Sequence, residues 1–160
     1  MAQSANDPTW LIEAIKHQGV REIPGVNHHP AIVRMWKTIR RGGIKDDETP
    51  WCAAFVGFCF ELVGIVSTRF ESAKSYLSWG VALDHPVRGC VAVFPHHVGF
   101  LTGFSPAGYP LVLGGNQDNE VNVREIRRQP LIGLRWPAGV PIPQDPGLAV
   151  GSAPATASEA

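Results

Sequence analysis

The chain lacks the features that would commit it to a membrane, a nucleic acid or a disulfide scaffold. Its 14 basic and 14 acidic side chains cancel. They are scattered rather than blocked, so there is no electrostatic footprint for nucleic acid or anionic lipid, and a neutral or mixed-charge substrate fits better. No long apolar run opens the chain, because the stretch 10–15 is broken by Glu13 and followed by Lys16 and His17. That is neither a secretory signal nor a membrane span. Cytoplasmic synthesis without a signal peptide is expected, with action elsewhere only after release or export. The three cysteines, Cys52, Cys59 and Cys90, cannot all pair, and no interval between them matches a zinc Cys-x-x-Cys pattern. A disulfide framework is not expected. Nor do His17, His28, His29 and His85 fall at ligand spacing, so the reading assigns no metal and no cofactor.

What is present suits one globular core. A chain of 160 residues, 44% hydrophobic, is too short for two independent domains. Asp7-Pro8 ahead of Trp10, Leu11, Ala14 and Ile15 reads as a capped first helix that stops at Gly19. A second helix starts at Pro30. Its Ile32, Met35, Trp36 and Ile39 form one stripe at i, i+3, i+4 and i+7, ended by Gly42-Gly43. A third has Thr49 as cap, Pro50 at its first position and an almost wholly apolar run over 51–63, which predicts a buried central helix. A short fourth covers 72–79. From Cys90 the character changes to short runs, 90–94, 97–102, 111–113, 121–126 and 133–136, which predict an antiparallel meander. Helices first and strands second give an α+β arrangement, with helices packed on one face of the sheet. The domain is read as 1–139, followed by a Pro/Gly/Ala/Ser-rich tail, 140–160, expected to be disordered or loosely held.

One thiol stands out. A cap at Thr49 puts Cys52 in the first turn of the buried helix, where free N–H groups and the helix dipole favour an anion, so a depressed thiol pKa is expected. The same N–H groups can hold an oxyanion. Asp46, Asp47 and Glu48, just upstream, oppose this by their charge. Cys59 and Cys90 read as small core residues. A thiolate needs a base, and His96 and His97 head a strand, pointing to opposite faces. His97 shares its face with Gly99, whose missing side chain leaves room for the imidazole, and is preferred. Gly114-Gly115-Asn116-Gln117 follows the next strand, and Asn116 is the candidate for orienting the imidazole. The same block also reads as an ordinary turn.

Trp51-Cys52-Ala53-Ala54-Phe55-Val56, His97-Val98-Gly99-Phe100 and Gly114-Gly115-Asn116-Gln117 occur in that order. Together they resemble the NlpC-type and CHAP-type branch of papain-like cell-wall hydrolases, over roughly residues 10 to 137. The likeness is to a group of small single-domain proteins, many associated with phages and prophages. The resemblance implies Cys52 as nucleophile, His97 as base and Asn116 as the orienting residue, on a sheet packed against a helix that carries the cysteine at its N-terminus. It also implies a peptidoglycan peptide as substrate, cut by an endopeptidase or an N-acetylmuramoyl-L-alanine amidase. Glu22, Asp47 and Trp51 flank the loops near the helix start and are the expected substrate-groove residues. The chain departs from many NlpC-type relatives in having Trp51 where they have Asp before the cysteine, and it shows only the short tail where many add a wall-binding domain. A monomer is expected, acting as a phage endolysin or as an effector with an export machine and an immunity partner. Two other readings use the same residues: a non-catalytic module that binds wall peptides or a phage structure, and a thiol acyltransferase.

Overall fold

The computed structural model describes residues 1, 3–25 and 27–158. Three α-helices come first: α1 over Thr9–Lys16, α2 over Pro30–Thr38 and α3 over Cys52–Leu62. Each buries the stripe that its sequence presents, Trp10, Leu11 and Ala14 on α1, and Ile32, Met35 and Trp36 on α2. Helix α3 is buried all round from Cys52 to Phe60, as a run without a polar face requires. It crosses α2 closely because Gly57 carries no side chain: a Cβ there would lie 2.7 Å from Ile39 Cγ2.

The expected caps are used differently. Helix α1 has Pro8 at its N-cap position with no side-chain cap. Asp7 instead accepts from the Ser4 amide at 2.6 Å and pairs with Arg88, 81 residues away, at 2.6 Å. Helix α3 begins at Cys52 rather than near Pro50. Trp51 is its N-cap and gives no side-chain bond to the helix start, while the Thr49 amide is taken by Asp46 Oδ1 at 2.6 Å. The fourth helix is a 3₁₀ segment, Ala73–Ser78. Ser75 Oγ there bonds back to the Ser72 carbonyl at 2.7 Å, a local competitor to the α-helical pattern.

The strands are β1 over Val81–Ala82, β2 over Val91–Phe94, β3 over His97–Phe104, β4 over Pro110–Gln117, β5 over Glu120–Glu125, β6 over Gly133–Trp136 and β7 over Ala149–Val150. The fold is α+β. β2 to β5 form the expected antiparallel meander, but β6 returns to the far side of β2 and carries β1 outside it, giving the order β1-β6-β2-β3-β4-β5. Part of the segment expected to be a loose tail is paired: β7 runs parallel to β3 at Gly103 and Phe104, and Ala155 bridges to Glu125. The reason is an available edge. β2 and the residues just before it cover β3 only as far as Leu101, and the extended tail supplies free backbone groups beyond it.

Helix α3 lies against β3 and β4, with Phe100 of β3 meeting the rings of Phe55 and Phe60 at 6.3 and 5.5 Å between centroids. The remaining contacts of Phe60, with Trp10 at 5.5 Å and Trp79 at 4.6 Å, join α1 and the 3₁₀ segment to the same core. β2, β3 and β4 are buried almost end to end rather than in alternation, so both faces of the central sheet are covered, beyond the one-sided packing expected. The N-terminus of α3 is thereby fixed beside the start of β3, where His97 stands.

Candidate active site

Cys52 is the first residue of α3 and is 3% exposed. Backbone N–H groups of Val98, Ala53 and Cys52 itself lie close enough to its sulfur to favour the thiolate. Two of these belong to the helix start and the third to the residue after His97, so the thiol lies where α3 meets β3. The expected low pKa is overturned. Burial pushes the Cys52 thiol up to about 11, and the three amides offset only part of that. At rest the group is a neutral thiol. Burial raises Cys59 and Cys90 as well, the latter to about 11, so acidity does not single out Cys52; its neighbours do.

His97 is buried, and its Nε2 lies 2.9 Å from Gln117 Oε1. Which atom donates follows from the other end of the amide. Gln117 Nε2 faces three oxygens, Val112 O at 3.0 Å, Asn122 O at 2.9 Å and Asn122 Oδ1 at 3.1 Å, so it must be the NH₂. Oε1 therefore accepts from an N–H on His97 Nε2. In the neutral imidazole this leaves Nδ1 with the lone pair. The sheet carbonyls, acting through one carboxamide, select the tautomer.

The imidazole's amide is thus Gln117, where Asn116 was expected, and a β-bulge is the cause. β4 pairs with β5 in one register through Gly114↔Asn122 and has shifted by one residue at Gln117↔Glu120. Asn116 takes up the slack in the left-handed region, at φ 58°. One extra residue reverses the alternation, so Gln117 shares the face of Gly114 that Asn116 would otherwise share. A Cβ on Gly114 would lie 2.6 Å from Gln117 Oε1 and 3.2 Å from His97 Nε2. The room for the imidazole comes from Gly114, not from Gly99, where a Cβ would collide with Val112 Cγ1.

Asp47 and Trp51 do not line a groove. Both are fully buried. Asp47 Oδ2 accepts from the amides of Ile23 at 2.7 Å and His29 at 2.9 Å, and Oδ1 meets His28 Nδ1 at 3.0 Å, so this carboxylate ties the loop before α2 to the loop before α3. Burial alone would raise it, but those hydrogen bonds outweigh burial and hold it below the ordinary carboxylate value. Trp51 packs over Gly115, where a Cβ would lie 2.7 Å from its Cζ3, and its indole N–H donates to Glu22 Oε1 at 2.8 Å. Glu22 is half-buried, and burial raises its carboxyl despite that bond. It borders a surface hollow with Arg21, Glu48 and Asn119, behind Trp51. Among the described residues, ligand atoms of His28, Asp47 and Glu48 lie within 4.8 Å of one another. Asp47, however, already spends both oxygens on the loop.

A cleft of about 290 Å³ lies between the Glu71-Ser72-Ala73 segment and the Pro95-His96 turn, and Pro50 and Cys52 also line it. His96, the histidine not chosen from the sequence, borders this cleft. Glu71 also borders it, and position in the sequence gave no hint of that, because the 3₁₀ segment brings it there from 19 residues beyond Cys52. No helix is long and apolar enough to cross a membrane among the described residues. Comparison with family models, with curated proteins and with solved structures finds no match to this chain.

Proposed function

We propose that the chain is a papain-like cysteine hydrolase that cleaves an amide bond of peptidoglycan peptides. The observation that carries this reading is the meeting of a helix-start thiol with the β3 residues next to an imidazole whose tautomer is set by a buried amide. Cys52 contacts the Val98 amide, one residue from His97, and Gln117 occupies His97 Nε2. That leaves Nδ1 as the base. Because the resting thiol is neutral, His97 takes the Cys52 proton as the sulfur attacks, in the manner of a serine hydrolase rather than of a preformed ion pair.

Sulfur forms a bond to the substrate carbonyl carbon, whose oxygen becomes an oxyanion facing the N–H of Cys52 at the start of α3. The C–N bond then breaks, and the amine leaves with the proton carried by His97. Water, deprotonated by His97, attacks the thioester; a carboxylic acid departs and the thiol is restored. Gln117 replaces Asn116 in the orienting role. The resemblance in the three sequence blocks supports the wall peptide as substrate, and an endolysin or an exported effector as the setting.

Purified sacculi incubated with wild type and with Cys52→Ala, followed by mass analysis of released muropeptides, test this. New amine and carboxyl termini with wild type and a loss of at least about 10³-fold in Cys52→Ala are expected. Lytic activity retained by Cys52→Ala would refute it. A second reading is favoured by one observation, the burial that leaves Cys52 neutral: a non-catalytic module in which the cysteine is packing. It predicts binding to the same sacculi without new termini.

A further inference from the structure

A second hollow adjoins the cleft that Cys52 lines. Glu71, which borders the cleft, also borders this hollow of about 260 Å³ formed with Arg40, Arg41, Gly43 and Ile44. Glu71 is common to the walls of both, so Cys52 lines the hollow on one side of this side chain and two arginines line the hollow on the other. Arg40 is exposed, stands at φ 63° just beyond α2, and among the described residues makes no ion pair. A left-handed backbone is uncommon for a residue with a Cβ, and here it ends α2 on two consecutive arginines beside Gly42-Gly43.

Arg41 is prepared in one orientation. Its Cζ lies 4.9 Å from the centroid of the Phe70 ring, and its Nε is 3.2 Å from Glu71 Oε2. The Arg41 and Glu71 side chains are 40% and 44% exposed, so their pair is worth little and exchanges readily. Glu71 thus shows a carboxylate seated beside Arg41 through Nε alone, without a hydrogen bond of good geometry, which leaves the guanidinium able to take a better-placed planar carboxylate. Two guanidiniums against one carboxylate leave a single positive charge, which suits a monoanion.

We infer that Arg40 and Arg41 form a carboxylate subsite, receiving a free carboxylate of the peptide whose amide carbonyl is presented to Cys52. The inference rests on the hydrolase reading and adds a substrate class to it: stem peptides with a free carboxylate near the scissile bond, in preference to the amidated form. The planar guanidinium is the discriminating element, since a carboxamide offers one acceptor and no charge.

The test uses two disaccharide tetrapeptides that differ only in having free or amidated stem carboxylates. Wild type, Arg41→Gln and Arg40→Asn are compared on both, the latter substitution because asparagine tolerates the left-handed backbone. Binding of both peptides to Cys52→Ala is measured by calorimetry. Wild type is expected to prefer the free carboxylate by about tenfold or more in kcat/KM, and each variant to bring that ratio within about twofold through KM rather than kcat. Equal cleavage of both peptides by wild type, or equal losses on both in the variants, would overturn the subsite and leave the hydrolase standing. Cleavage of neither, with tighter binding of the carboxylate peptide that Arg41→Gln abolishes, would overturn the hydrolase and keep the subsite. Neither cleavage nor binding would overturn both.

Discussion

Gly114 and Gly115 are adjacent and serve opposite sides of β4. One seats the His97–Gln117 pair and the other seats Trp51. An alanine at 114 would put its Cβ 2.6 Å from Gln117 Oε1, well inside contact distance, so the amide must move and the imidazole loses its fixed tautomer. On the proposed hydrolase reading, Gly114→Ala is therefore expected to lower kcat by about 10- to 100-fold while far-UV circular dichroism stays that of wild type, since misplacement of about 1 Å costs that much. A loss of folded signal in parallel with activity would show instead that the glycine only packs. The places of Cys52 and His97 at the starts of α3 and β3 were legible in the sequence, because starts have local signatures. Gln117 was missed by one residue because faces were assigned by strict alternation. The signal for the bulge was nonetheless present: two glycines followed by asparagine, inside what became a strand, are residues that tolerate a left-handed kink.

At the scale of elements, the two loops before α2 and α3 are held by Asp47, and its chemistry gives the clamp a pH window. Burial opposes the charge, yet the Ile23 and His29 amides and His28 bring the carboxyl below 3.8; its contribution is present above that value and is lost as pH falls through the lower, folded one. His28 is raised above 6.5, chiefly by its hydrogen bond to Asp47, so its contribution is present below 6.5 and fades as pH rises through the higher, folded value. The clamp is at full strength between about pH 4 and 6.5. Asp47→Ala orphans two amides, at about 1–3 kcal/mol each, and should lower Tm most in that window. Melting curves of both proteins from pH 3 to 9 check this; a difference that is flat across the range would mean the carboxylate is not the clamp. The helices themselves were legible from their apolar stripes. The sheet order was not, because period-two patterning identifies a strand without naming its neighbour, and only the chain's return places β6 beside β2 rather than β5.

At the scale of the molecule, the tail closes the far end of the sheet and then approaches the site end. Gly151 donates to the Phe104 carbonyl at 3.1 Å, Glu125 donates to that of Pro154 at 3.0 Å, and Asp118 Oδ1 accepts from the amides of Ala157 at 2.9 Å and Ser158 at 2.7 Å. Composition alone predicted looseness, because Pro, Gly, Ala and Ser bury little apolar surface. What it omits is that an uncovered strand edge recruits backbone, which every residue type except proline can donate. Each such bond is worth about 0.5–1.5 kcal/mol, and ordering the tail offsets much of their sum. A chain ending at Gly147 should therefore lose about 1–2 kcal/mol, or about 2–8 °C in Tm at this size. The proposed hydrolase activity should change by less than about twofold, for a specific reason. Although Asp118 holds the tail and adjoins Gln117, the Gln117 amide is fixed by Val112 and Asn122, which belong to β4 and β5 and remain in place. If truncation instead lowers kcat by tenfold or more with the fold intact, the hairpin tip does not hold itself, and the tail has to be counted among the parts that position His97.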